Sequence, residues 1–180
     1  MEQKGNLLKY TLNYGLILGI ILVLYSALLY ATDLIFSKSL GYVSFLITIV
    51  IVYIGQKAFR DKGSGGSINY GRALVAGLLI VVFSSIISSI FTYFLYTIID
   101  PQLVDKMLQL QEQKMISSGK YTEEQIELGL QMARKFTTPG RMVIMGILGS
   151  ALMGFIISLI TSIFIKKEAI QFDNNQNEQN

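Results

Sequence analysis

The chain has 180 residues, 52% of them apolar and 15% charged, and its 15 Lys and Arg against 12 Asp and Glu leave a net charge of +3. About a quarter of a soluble domain is charged, so this sequence lacks the material that keeps a surface wet, and its small, spread charge makes no case for nucleic acid. With neither cysteine nor histidine, disulfides, thiol catalysis, Cys/His metal sites and imidazole acid–base chemistry are excluded.

The apolar residues come in long runs rather than stripes. The first, residues 12–31, carries no charge and follows the basic Lys4 and Lys9. It is too long for a signal-peptide core, and Leu29-Tyr30-Ala31 makes a poor cleavage site, so it is expected to remain as an uncleaved span. The second run, residues 40–54, is the shortest. It crosses only by extending through Gln56 toward Phe59, with Lys57 snorkelling to the headgroups, which sets the span at about residues 40–57. Residues 74–99 and 142–165 supply the third and fourth runs. At 1.5 Å per residue, about 20 residues cross about 30 Å of hydrocarbon. A soluble four-helix bundle would need polar helix faces, and residues 16–24 have none.

Between these runs lie three connections. The first has Lys38 balanced by Asp33, and the second has Lys57, Arg60, Lys62 and Arg72 against Asp61 alone. The basic excess on the second connection and at both ends (Lys4, Lys9, Lys166, Lys167) places both termini in the cytoplasm by the positive-inside rule. Lys57, Arg60, Lys62 and Arg72 would then meet anionic lipid, worth about 1 kcal/mol each. Gly63-Ser64-Gly65-Gly66-Ser67 is not followed by the Lys-Ser or Lys-Thr of a phosphate loop and reads as a flexible linker.

The third connection, residues 101–138, holds a helical hairpin outside the membrane on the extracytoplasmic side. Asp100 is expected to cap its first helix, Pro101 to sit in the first turn, and Gly119 to end it. Thr122 and Gln125 form a capping-box pattern for the second helix, with Glu123 and Glu124 at the positive end of its dipole. Ile126, Leu130 and Ala133 cluster on one side of that helix, and Leu128, Met132 and Phe136 about 125° away. One cluster can close the hairpin. The other is expected to pack against the third span where it projects beyond the bilayer, or to meet the outer lipid surface, a second copy or another protein as a partner surface, because leaving such side chains in water is costly. Residues 171–180, rich in Asn and Gln, are expected to be a disordered tail after a membrane domain spanning residues 1–170. An echo between Leu12-Asn13-Tyr14-Gly15 and Ile68-Asn69-Tyr70-Gly71 raises a duplicated two-span hairpin.

No Asp, Glu, Lys or Arg lies inside the four uninterrupted runs, which argues against a proton relay or voltage sensor. The serines there lack a base, so no catalytic, cofactor-binding or metal-ligating residue is assigned and the chain is expected not to be an enzyme. Small residues recur every four positions instead. Gly146, Ser150, Gly154, Ser158 and Ser162 mark the fourth run, Gly15 and Gly19 the first, and Ser84 and Ser88 the third. At this spacing backbones approach and hydroxyls bond across helices, so these are candidate helix-packing residues.

The entry to the third run, Gly66-Ser67-Ile68-Asn69-Tyr70-Gly71-Arg72-Ala73-Leu74, resembles domain-of-unknown-function family 4199, a group of small bacterial inner-membrane proteins. Members typically carry a basic second loop, a glycine, an aromatic-Gly-x-Ala entry to span three, and a long charged outer loop before span four. The similarity covers about residues 4–167, with Tyr70 where phenylalanine is usual. It implies a four-span fold and no activity, and it carries over no functional residue. The expectation is an all-α integral membrane four-helix bundle with an extracytoplasmic hairpin between spans three and four. It would act as a non-enzymatic accessory or scaffold of the bacterial inner membrane, with lipids and an envelope protein or a second copy as partners. The alternative is a small oligomeric transporter or channel lined by the serines of spans three and four.

Overall fold

A computed structural model of the chain describes residues 6–167; the predicted tail lies outside them. The fold is all-α. Helix α1 (Leu7–Ala31) starts where the Asn6 side chain accepts the Leu8 N–H at 3.1 Å. Helix α2 (Lys38–Ala58) continues through a π-helical turn, Phe59–Gly63. The short apolar run thus sits in a helix long enough to cross. Helix α3 (Tyr70–Phe94) starts where Asn69 accepts the Arg72 N–H at 2.9 Å, and it likewise closes in a π-helical turn, Leu95–Ile99. Helices α4 (Leu103–Ser118) and α5 (Glu123–Phe136) form the hairpin, and α6 (Pro139–Ile165) returns. The four long helices have the length and apolarity of membrane spans, and the protein is a multi-pass membrane protein.

Large apolar side chains cover the outside of the bundle: Leu24, Leu46, Leu152 and Phe164 are all at least 60% exposed. A soluble monomer rarely shows a continuous apolar surface, whereas lipid tails require one. The interior is held by close helix approach. Helix α3 is central and packs most extensively on α6 and α1, while α2 touches α1, α3 and α6. A Cβ on Gly15 would stand 2.6 Å from that of Phe83, and one on Gly154 2.7 Å from that of Val81, so both crossings require glycine.

The two ends differ. At the terminal end Phe59, Ile68, Ala73, Ala76 and Ile165 form a closed apolar cluster flanked by Leu7 and Tyr10. Ile68 and Lys167 exchange backbone hydrogen bonds of 2.8 and 3.0 Å, tying the entry of α3 to the exit of α6. At the hairpin end α4 and α5 pack chiefly on each other. Gly119 ends α4 with φ 62°, a left-handed cap that suits glycine. Thr122 and Gln125 form the reciprocal capping box that starts α5.

One local expectation is corrected. Asp100 accepts the Gln102 N–H at 3.1 Å, and α4 begins only at Leu103, so Asp100 shapes the turn before the helix and Pro101 precedes its first residue. The two Asn-Tyr-Gly segments are not equivalent: Asn69 caps α3, whereas Asn13 lies two turns inside α1, whose cap is Asn6.

Candidate functional site

Three helices present the same sequence of layers along the bundle axis. On α2 the series is Thr48, Val52, Gln56; on α3, read toward the terminal end, Ser84, Val81, Gly77; on α6, Ser150, Gly154, Ser158. Each step is three or four residues, about 4.5–6 Å of helix, so like residues stand at similar depth. The result is a polar knot, an apolar layer and a hydroxyl-lined cleft, stacked from the terminal end toward the hairpin.

The knot centres on Gln56, which is fully buried. Its Nε2 donates to the Ala73 carbonyl at 2.9 Å and to Ser162 Oγ at 3.1 Å, joining α2, α3 and α6. Because a carbonyl only accepts, the bond to Ala73 fixes the amide's orientation. Gly77 makes the room: any side chain there would collide with Gln56 Nε2 and Ser158 Oγ. Gln56 Oε1 and Ser158 Oγ are buried without a partner among the described residues. Gln56 is absent from the sequence-predicted residues. The signal that could have found it is an amide two residues beyond an apolar run, at four-residue steps from Val52 and Thr48.

Above the knot, Leu18, Val52, Ile80, Val81 and Ile157 form a dry layer. Beyond it lies a cleft of about 230 Å³, lined by Leu22, Phe45, Val81, Met153 and Ile157 together with Thr48 of α2, Ser150 of α6 and Ser84, Ser85, Ser88, Ser89 and Thr92 of α3. No lining residue is charged. The hydroxyls of Thr48, Ser84 and Ser85 donate to Ser44, Val81 and Val82 carbonyls on their own helices at 2.8, 2.9 and 2.8 Å. Their protons are therefore spent within their own helices.

The small residues singled out from the sequence divide between these regions. Gly15 and Gly19 are buried against Phe83 and Ile87, and Gly154 against Val81. Ser158 lies in the knot. Ser84, Ser88 and Ser150 line the cleft, as does Gly146, where among the described residues no atom stands within 4 Å of the place a Cβ would take. The period-four ribbon of α6 is thus a contact at its terminal half and an open wall at its hairpin half.

The other predicted residues lie at the two ends. Arg60 pairs with Asp61 at 2.7 Å and reaches the Ile165 carbonyl at 3.4 Å, so it joins α2 to the C-terminus of α6. The Arg72 guanidinium stands 5.8 Å from the centre of the Phe59 ring. Lys57 and Lys62 are exposed. At the opposite end Ile126, Leu130 and Ala133 are partly buried, whereas Leu128, Met132 and Phe136 are exposed by 53%, 63% and 58%. Arg141 bonds the Lys135 carbonyl, bracing the joint between α5 and α6.

Comparison with known proteins gives one result. The family described as "Protein of unknown function (DUF4199)" matches residues 13–167. No curated protein and no solved structure matches the chain. The match covers most of the sequence, and the chain belongs to this family.

Proposed function

We propose that this DUF4199 protein is a non-enzymatic accessory or scaffold of the bacterial inner membrane, whose hairpin docks an envelope protein on the extracytoplasmic side. The observation that carries the reading is the uncovered face of α5, where Leu128, Met132 and Phe136 stand more than half exposed while the opposite cluster closes the hairpin. Burying three such side chains is worth roughly 1.5–3 kcal/mol each, enough to drive association. Methionine and an aromatic suit an adaptable surface. The orientation is supported by the terminal end of the bundle, which gathers Lys57, Arg60, Lys62, Arg72, Lys166 and Lys167. The non-enzymatic reading rests on the missing histidine and cysteine and on spans without ionisable groups in their apolar runs.

Replacing Leu128, Met132 and Phe136 together by serine tests the docking face, with crosslinking in the native membrane followed by mass spectrometry. Loss of a crosslinked envelope partner from a still-folded monomer is the expected result. Unchanged crosslinks would remove the face from the docking role, and a monomer that no longer folds would make the cluster part of the core. The second reading, an oligomeric transporter or channel, draws on the hydroxyl-lined cleft. Within one chain, however, the layer of Leu18, Val52, Ile80, Val81 and Ile157 interrupts the polar path that a conduit needs.

A further inference from the structure

We infer that the terminal end of the bundle binds a phospholipid whose headgroup carries two negative charges. The sequence presents Lys57, Arg60, Lys62 and Arg72 as equal cations, and the structure divides them. Arg60 is partly buried and engaged, by Asp61 at 2.7 Å and by the Ile165 carbonyl at 3.4 Å. The Arg72 guanidinium lies over the Phe59 ring. Lys57 and Lys62 are exposed and form no ion pair among the described residues. Another lysine joins them. The backbone bonds between Ile68 and Lys167 fix the exit of α6 beside the entry of α3. Lys57 and Lys167 both stand within electrostatic reach of the Asp61 carboxylate, and Lys62 follows Asp61 in the chain. The charge of Asp61 is spent on Arg60, and no other Asp or Glu among the described residues lies at this end. Lys57, Lys62 and Lys167 are left uncompensated around one point.

Ammonium groups are compact point charges that suit phosphate oxygens. A singly charged headgroup would leave most of the repulsion among these lysines in place, whereas two phosphate charges relieve it. An apolar surface adjoins the cations. Tyr53 and Ile54 are exposed, four and three residues before Lys57, and share its face of α2. Ile163 and Phe164 are exposed on α6 immediately before Lys166 and Lys167. A free phosphate would use the cations alone. A phospholipid uses both layers, its phosphates on the lysines and its acyl chains on the apolar faces, which is how basic sites between membrane helices hold two-phosphate headgroups. This inference rests on the four spans and not on the hairpin, and its failure would leave the docking reading untouched.

Native mass spectrometry of the full chain in detergent, titrated with tetraoleoyl cardiolipin or dioleoyl phosphatidylglycerol, measures the affinities. Cardiolipin should bind at least about tenfold tighter than phosphatidylglycerol. One lysine beside an anionic headgroup is worth about fivefold in affinity, so Lys57→Gln, Lys62→Gln and Lys167→Gln together should weaken cardiolipin binding about a hundredfold. Asp61→Asn removes the local negative charge and releases Arg60 from it, and should tighten cardiolipin about fivefold. If the triple variant fails to fold, the single lysine variants and Asp61→Asn carry the measurement. Equal affinities for the two lipids would overturn the preference for two charges. A triple variant that binds cardiolipin as tightly as the unaltered chain, or an Asp61→Asn protein that binds it more weakly, would overturn the site. Displacement of cardiolipin by millimolar inorganic phosphate would show a site for the free anion and overturn the lipid assignment.

Discussion

Helices α3 and α6 run side by side through the membrane, yet the two halves of their seam are built differently. In the terminal half Gly77, Ser158 and Ser162 bring the backbones close enough for Gln56 to bond across three helices. In the hairpin half Ser84, Ser88 and Ser150 are as small, but they line a cleft. Small residues permit close approach without enforcing it. What closes the terminal half is the match of glycine to a neighbour's bulk, Gly154 to Val81 and Gly77 to Gln56. In the hairpin half serine faces serine, and nothing fills the gap.

The largest expected effect breaks the terminal half. Gly77→Leu would drive a side chain into Gln56 and Ser158, both buried and packed on backbone. Overpacking costs about 1–3 kcal/mol in an ordinary core and more where neighbours cannot move. We expect no folded monomer, measured as loss of the monodisperse peak in detergent. A folded Gly77→Leu protein would mean that the knot is loose and the two halves are alike.

Next in size is Gln56. Gln56→Ala removes two interhelical hydrogen bonds and leaves a void, and it should destabilise by about 1–3 kcal/mol in a reversible unfolding titration. Gln56→Met restores the volume without the amide and also removes the unpartnered Oε1, so it should recover most of the loss. If the methionine variant were as unstable as alanine, hydrogen bonding rather than packing would hold the terminal half together.

Much of this architecture is legible in the sequence. Four apolar runs mark the helices, because hydrocarbon accepts little else, and the Thr122–Gln125 box with Gly119 marks the hairpin, because caps are local chemistry. The division of the seam is not legible. Gly146, Ser150, Gly154, Ser158 and Ser162 form one uniform period, and only the residues opposite, Val81 or Ser84, decide where it closes. Gln56 is hidden for a related reason. An amide near the end of an apolar run resembles an interfacial residue until α2 is known to continue to Gly63 and turn that side chain inward.

A smaller effect tests whether the hairpin is a separate unit. Thr122→Ala removes the side chain that accepts the Gln125 N–H at 3.3 Å. Losing such a cap costs about 1 kcal/mol. Because α4 and α5 pack chiefly on each other, the loss should appear as faster amide exchange within α5 and leave α3 and α6 unchanged. Exchange that rises equally in the spans would show that the hairpin and the bundle unfold together.

The smallest expected effect, that of Gly146→Ala, belongs to the sharpest comparison, which makes one substitution twice on one ribbon. Gly154→Ala places a methyl 2.7 Å from Val81 Cβ and Cγ1. Valine's branched side chain is held to few rotamers in a helix, so the helices must separate, at about 1–3 kcal/mol. Gly146→Ala, two turns nearer the hairpin, meets nothing within 4 Å among the described residues. There the methyl costs no contact and restricts the backbone of the unfolded chain. Such a change stabilises by about 0.4–1 kcal/mol where the native backbone accepts it, and α6 is helical at this position. The two variants should therefore shift the unfolding midpoint in opposite directions. A destabilising Gly146→Ala would show that α3 and α6 also close at the hairpin end in the membrane, and the two halves of the seam would then be alike.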